Sequence, residues 1–227
     1  MRLAEINGRP AAAGDLAALA FAGYGHFTSM QLRDGRVRGF DLHLARLRES
    51  SRELFGEAVD DDRVRGYLRR AVRAGPVDAS VQVNVFASDD AAVASGRPVE
   101  PDVLVRTGPP ATSGTTPVRV RTTRYQRLLP HIKHVATLGL VHHWRLARQA
   151  GFDDVLFVDP DGFISEGSIW NVAFFDGAEA VWPSAPALRG ITMQLVQAGL
   201  AREGLGFRTE PVHRRPSEPE GRPPGPV

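Results

Sequence analysis

Apolar and polar positions along the chain fall into two periods, and the places where one gives way to the other predict an alternation of strands and helices. Ser80 to Phe86 alternates strictly, with Val81, Val83 and Val85 on one face and Gln82, Asn84 and Phe86 on the other, which predicts a strand. Leu3–Ile6, Tyr24–Leu32 and Val103–Val105 read as strands. So does the alternation of Val118 and Val120 with Arg119 and Arg121. Asn7-Gly8 and Asp34-Gly35 are hairpin signals, the second turning the chain back into Arg36–Gly39. The helical period appears at Leu44, Leu47, Ser51 and Leu54, with Asp41 as the expected N-cap and Gly56 as the stop. It recurs at Val64, Tyr67, Leu68, Ala71 and Val72, behind an acidic first turn of Asp60, Asp61 and Asp62. A third helix runs through Leu138, Val141, Ala147 and Ala150 and is closed by Gly151. A fourth carries Ile191, Leu195 and Ala198, widened by Val196 and Leu200. Val155–Val158 is a continuous apolar run of buried-strand type, followed by the turn Asp159-Pro160-Asp161-Gly162. Val172–Phe175 and Ala180–Trp182 form a hairpin about Asp176-Gly177, and Phe207–Val212 predicts a last strand. Asp15–Ala22 is short and apolar, helical or irregular.

Residues 108–116 are rich in Gly, Pro, Ser and Thr and carry no charge, so they predict a linker between an N-terminal α/β domain, residues 1–107, and a C-terminal domain, residues 117–212. Residues 213–227 predict a disordered tail, because prolines recur at 211, 216, 219, 223, 224 and 226 while apolar residues nearly vanish. The 227 residues give ample core for such an arrangement. The absence of cysteine removes disulfide frameworks, thiolate metal sites and cysteine nucleophiles. The formal charge is only +2 and basic residues are scattered, which argues against nucleic-acid binding. No long apolar run follows Met1, so neither a signal peptide nor a membrane span is expected, and the default location is cytoplasmic. Lysine is nearly absent beside arginine.

That scarcity draws attention to Lys133, in Leu129-Pro130-His131-Ile132-Lys133-His134-Val135. The chain delivers this lysine, then a helix, then a hairpin that ends in Ser165-Glu166-Gly167-Ser168-Ile169-Trp170-Asn171. The order suits a Schiff-base lysine and a separate carboxylate able to hold a protonated ring nitrogen. A solvated surface lysine and a glutamate in an ordinary turn fit the same residues. His131, His134, His142 and His143 raise a metal reading, with His131 and His134 on one helical face. No acidic or cysteine partner stands at a ligand spacing, so no metal is expected.

The combination of Lys133, Phe152–Asp159, Gly162 and Glu166-Gly167-Ser168-Ile169-Trp170-Asn171 resembles the class IV, fold-type IV enzymes that use pyridoxal 5′-phosphate (PLP). These include branched-chain and D-amino-acid aminotransferases and 4-amino-4-deoxychorismate lyase. Gly25-His26-Phe27-Thr28-Ser29, His43-Leu44-Ala45-Arg46-Leu47 and Gly190-Ile191-Thr192 extend the likeness over about Tyr24 to Val212. The resemblance implies an α+β, two-lobed fold. It has a small N-terminal α/β domain and a larger C-terminal α/β pseudo-barrel domain, here truncated at its C-terminus, with PLP in the crevice between the lobes. It implies that Lys133 forms the Schiff base and moves the α-proton, and that Glu166 faces the pyridine nitrogen. Arg46 would bind the PLP phosphate by a charge-assisted fork, and the amides of Gly190, Ile191 and Thr192 would hold it at a helix N-terminus. His26, Thr28, His134 and Ser168 are candidates for substrate contact. The implied activity is amino transfer between an amino acid and a 2-oxo acid, by a homodimer. Two departures open alternatives. Leu138 stands where many aminotransferases have tyrosine, and with Lys133-His134-Val135 it resembles the lyase, which releases pyruvate and 4-aminobenzoate. Arg189 replaces a proline, and the C-terminus lacks the family's further helix and strand, so a noncatalytic relic of the fold is a second alternative.

Overall fold

The computed structural model describes residues 4–16, 19, 23–73, 75–112 and 114–214. The chain divides into two compact units. Residues 1–115 and 132–136 form the first, and residues 116–131 and 137–227 form the second.

The first unit is built on one six-stranded sheet. Its strands are β1 (Ala4–Ile6), β2 (Arg9–Pro10), β3 (Gly25–Arg33), β4 (Arg36–Val37), β5 (Ala79–Phe86) and β6 (Asp102–Gly108). Their order is β2-β1-β6-β5-β3-β4, and every pair is antiparallel. Asn7 and Gly8 both take positive φ, as do Asp34 and Gly35, so each two-residue hairpin has the geometry that its sequence predicts. The expected alternation in β5 holds, with Val81, Val83 and Val85 all buried. Burying each of these side chains stabilises the unit by about 1.5–3 kcal/mol.

Helices α1 (Phe40–Phe55) and α2 (Asp61–Arg73) cover the sheet, and a short α3 (Asp90–Ala94) precedes β6. Leu44, Leu47, Ser51 and Leu54 form the buried stripe of α1, as their spacing predicts, and Gly56 closes it in a left-handed conformation. Asp41 does not cap this helix. Gly39 holds the N-cap position at φ 65°, and the Asp41 carboxylate lies in the first turn, 3.0 Å from an Arg65 guanidinium nitrogen. The glycine takes the left-handed turn that an aspartate would enter only at a cost.

In the second unit, β7 (Val120–Arg124) and β8 (Asp154–Val158) are parallel and joined through α4 (Leu138–Gln149). Strand β9 (Ile164–Gly167) pairs antiparallel with β8. A second sheet repeats the device. There β10 (Phe174–Phe175) pairs with β11 (Ala180–Pro183), and α5 (Ile191–Arg202) connects β11 to the parallel β12 (Phe207–Glu210). Parallel strands need such crossovers, which explains the helix between each pair. Leu140, Ala147, Val155 and Phe157 form a core, with Tyr125, Trp144 and Phe152 packed against it. The buried stripe of α4 is therefore Leu140, Trp144 and Ala147, while Leu138 is 83% exposed and Val141 is 52% exposed. Two apolar registers overlap in this helix, and the one that carries the tryptophan packs with Val155 and Phe157 of β8.

The expected disordered tail begins too early. His213 packs edge-on against Phe163 with ring centroids 4.8 Å apart, and the Arg214 amide donates to Gly162 O. The rest of that tail, and most of Asp15–Ala22, lies outside the described residues. No helix among the described residues is long and apolar enough to cross a membrane.

Candidate active site

The segment 132–136 joins the first unit because it extends the edge of β3. Beside that strand's first residues the edge is open, since β4 pairs only with Leu32 and Arg33. The Phe27 amide donates to Lys133 O at 2.9 Å, and the Val135 amide donates to Gly25 O at 2.9 Å. His26 and His134 pair across this short antiparallel bridge. The segment is thus extended, and the expected helical face shared by His131 and His134 does not form. This pairing fixes the direction of the lysine. Lys133 lies beside Phe27, and its Nζ stands 4.9 Å from the Phe27 ring centroid, a cation–π contact that holds the amine over one face of β3.

The other face of β3 carries His26 and Thr28, by the two-residue period of a strand. Both are fully buried against α1. His26 Nε2 lies 2.9 Å from Ser51 Oγ, and Thr28 Oγ1 lies 2.7 Å from His43 Nδ1. Burial depresses His26 to about 3. Burial and then the neighbouring Arg46 guanidinium depress His43 to about 4, so both imidazoles are neutral at physiological pH. His26 and Thr28, expected to contact substrate, have their side chains buried between strand and helix. His134 is half-buried. Arg46 is half-buried on α1, one turn after His43.

The second unit gathers the other candidates. Glu166 ends β9 and is almost fully buried. Its Oε1 lies 3.1 Å from Arg127 Nε, off the line of a hydrogen bond, so the contact is an ion pair. Arg127 is itself buried and donates from Nη2 to Pro130 O at 2.6 Å. Glu166 Oε2 accepts the Leu188 amide at 3.4 Å. Next to it, Asn171 Nδ2 donates to Leu188 O at 2.6 Å, and Asn171 Oδ1 accepts the Gly190 amide at 3.0 Å. Gly190 is the N-cap of α5, and no side chain caps the helix there. Its first turn contains no acidic residue. The amides of Ile191, Thr192 and Met193 therefore stand at a positive helix end that no side chain caps. Ser168 is 2% exposed, and its Oγ has no hydrogen-bond partner among the described residues. Among the described residues no cluster of three or more His, Asp or Glu could hold a metal ion.

The family model described as amino-transferase class IV matches residues 25–215. The chain belongs to the class IV aminotransferases. Solved structures share its fold-type IV architecture. An aminotransferase from Brucella abortus bound to PLP is 19% identical, with a TM-score of 0.78, 93% of this chain covered and 82% of that one. The branched-chain amino acid aminotransferase of Escherichia coli is 19% identical, with a TM-score of 0.76 and coverages of 93% and 77%. A putative 4-amino-4-deoxychorismate lyase from Legionella pneumophila is 17% identical, with a TM-score of 0.73 and coverages of 86% and 75%. No curated protein matches.

Class IV aminotransferases use PLP, and the residues present suit that group. The α5 N-terminus offers uncapped amides for a phosphate. A Cβ added to Gly190 would stand 2.1 Å from Asn171 Oδ1, so any larger residue there would displace the Asn171 carboxamide. Glu166 is a buried anion suited to a ring nitrogen, and the Ser168 hydroxyl is a buried donor without a partner among the described residues. Lys133 is moreover the only lysine in the sequence. Sequence reasoning missed Arg127, a lone arginine in an aperiodic loop. It also gave no role to Asn171, although that residue closes the Glu-Gly-x-x-x-Asn motif.

Proposed function

We propose that the protein is a PLP-dependent aminotransferase that moves an amino group between an amino acid and a 2-oxo acid. The observation that carries this reading is the buried Glu166 carboxylate, held by Arg127 and the Leu188 amide beside the uncapped start of α5. PLP, when bound, supplies an aldehyde carbon and an electron-accepting ring. Lys133 Nζ would hold the cofactor through its aldehyde carbon and, once the substrate's amino group takes its place and frees it, would carry the α-proton of the amino acid as general base and acid. The Phe27 ring holds that amine in place. Glu166 keeps a proton on the ring nitrogen. Arg46 and the amides of Gly190, Ile191 and Thr192 bind phosphate, with the Thr192 hydroxyl as a further donor. Ser168 and His134 are candidates for substrate contact. The proposed working form is a cytoplasmic homodimer, the assembly that the family resemblance implies. The proposed domains are residues 1–107, a linker at 108–116, and a cofactor-binding domain at 117–212, with the exception that residues 132–136, Lys133 among them, belong to the first compact unit.

A lyase releasing pyruvate from 4-amino-4-deoxychorismate is the second reading. It is supported by Leu138 in place of tyrosine and by His134 after the lysine. Product analysis separates the two. Aminotransfer forms a new 2-oxo acid beyond one equivalent per active site only when a 2-oxo acid acceptor is supplied. The lyase forms 4-aminobenzoate with no acceptor. A protein that binds PLP and yields neither product with a panel of amino acids or with 4-amino-4-deoxychorismate would overturn both.

A further inference from the structure

We propose that Asn171 is a positioning residue that builds the phosphate-binding turn and ties it to Glu166. The proposal rests on the reading that the α5 N-terminus takes the cofactor phosphate. A helix that receives an anion at its N-terminus cannot spend its first amides on its own cap. A serine or aspartate at the N-cap position would take the amide two or three residues on. Here the N-cap is Gly190, which has no side chain to do so. The turn must be shaped from elsewhere, and Asn171 shapes it. Its Oδ1 takes only the amide of Gly190 itself, at 3.0 Å, which leaves the amides of Ile191, Thr192 and Met193 for the ligand. Its Nδ2 donates to Leu188 O at 2.6 Å, so one carboxamide spans residues 188–190.

The same peptide segment meets Glu166 from its other side, where Oε2 accepts the Leu188 amide at 3.4 Å. Glu166 and Asn171 are themselves paired across their loop, and the Gly167 amide donates to Trp170 O at 2.8 Å, which closes it. Two side chains of one loop therefore hold the amide and the carbonyl of the same leucine. A shift of the loop that moved the carboxylate would also move the start of α5. Gly190 completes the device. The 2.1 Å between a Cβ at this position and Asn171 Oδ1 means that any larger residue displaces the carboxamide.

The test compares PLP with pyridoxal, which has the same aldehyde and ring but no phosphate, by titrating each into the apoprotein and reading absorbance. Wild type should bind PLP far more tightly than pyridoxal. Asn171→Ala should lose about tenfold of that preference while its pyridoxal affinity stays within about twofold, because only the phosphate turn is disturbed. Gly190→Ala should show the same loss. In the Asn171→Ala/Gly190→Ala double variant the second change should add almost nothing, because the atom it collides with is gone. Inorganic phosphate should raise the melting temperature of wild-type apoprotein, and this increment should shrink in Asn171→Ala. A purely structural role would lower the melting temperature equally with and without phosphate and leave the PLP-to-pyridoxal ratio unchanged, and that result overturns the proposal. If Asn171→Ala does not fold, Asn171→Asp decides. It keeps the acceptor for Gly190, loses the donor to Leu188 and adds a negative charge, so an unchanged ratio in that variant also overturns it. A wild type with no preference for PLP would instead refute the phosphate site itself.

Discussion

Replacing Arg127 by methionine tests the electrostatic arrangement around Glu166 without any cofactor. The pair is 3.1 Å apart, and both side chains are at least nine-tenths buried. At an effective dielectric constant of about 20 their attraction is about 5 kcal/mol. Methionine fills much of the arginine's volume but leaves the carboxylate buried without the guanidinium, while the Leu188 amide stays at 3.4 Å. Removing one member of a buried pair costs about 3–5 kcal/mol, because the other charge loses its compensation. Removing both is far milder, since neither desolvation penalty remains. Urea denaturation of the apoprotein should therefore show Arg127→Met destabilised by about 3–5 kcal/mol. Arg127→Met/Glu166→Gln should recover at least half of that loss. A single variant within about 1 kcal/mol of wild type, or a double variant no better than the single one, would refute a buried ion pair at this position.

Three further outcomes follow from the same geometry. Lys133→Ala should abolish the visible absorbance of the PLP-loaded protein while its circular dichroism stays that of wild type, because the change removes a nucleophile and little packing; retained wild-type activity would count against the assignment. Glu166→Gln should still bind PLP but turn over slower by orders of magnitude, since the ring nitrogen loses its charged partner; equal rates would take Glu166 out of the mechanism. His26 and His43 stay neutral in the folded protein, while the unfolded chain protonates both near pH 6.5. Stability is therefore full above that pH and falls as the pH drops towards 4, by about 2.7 kcal/mol per pH unit where both groups differ between the two states. Replacing both histidines by glutamine should flatten acid-denaturation curves between about pH 5.5 and 4.5, and an unchanged slope would contradict their burial as neutral groups.

The parts of this molecule that were legible in its sequence are those that local chemistry decides. Val81, Val83 and Val85 could only face one side of a strand. Asn7-Gly8 and Asp34-Gly35 could only make tight hairpins. Leu44, Leu47 and Leu54 marked the inner face of a helix before any partner was known. The errors arose where tertiary contacts choose between options of equal local merit. Leu138 and Val141 had the right spacing, but Trp144 on the other register packs with Val155 and Phe157. Asp41 looked like a cap, yet the chain entered the helix through a left-handed Gly39. His26 and Thr28 carried the polarity of site residues, and nothing local foretold their burial beside Ser51 and His43. At the site, Lys133 and Glu166 stood out through a motif. Arg127 and Asn171 act through residues distant in sequence, Arg127 on a carboxylate 39 positions on (127 to 166) and Asn171 on a turn 17–19 positions on. No periodicity records such contacts.

The central claim is that the amine of Lys133 carries the cofactor, and reduction tests it most directly. The PLP-loaded protein is treated with borohydride, digested and mapped by mass spectrometry. Because Lys133 is the only lysine, the α-amino group of the chain is the sole competing amine. The account predicts one phosphopyridoxyl group per chain, on Lys133. A label on the α-amino group, or no label on a protein that has bound PLP, would contradict it.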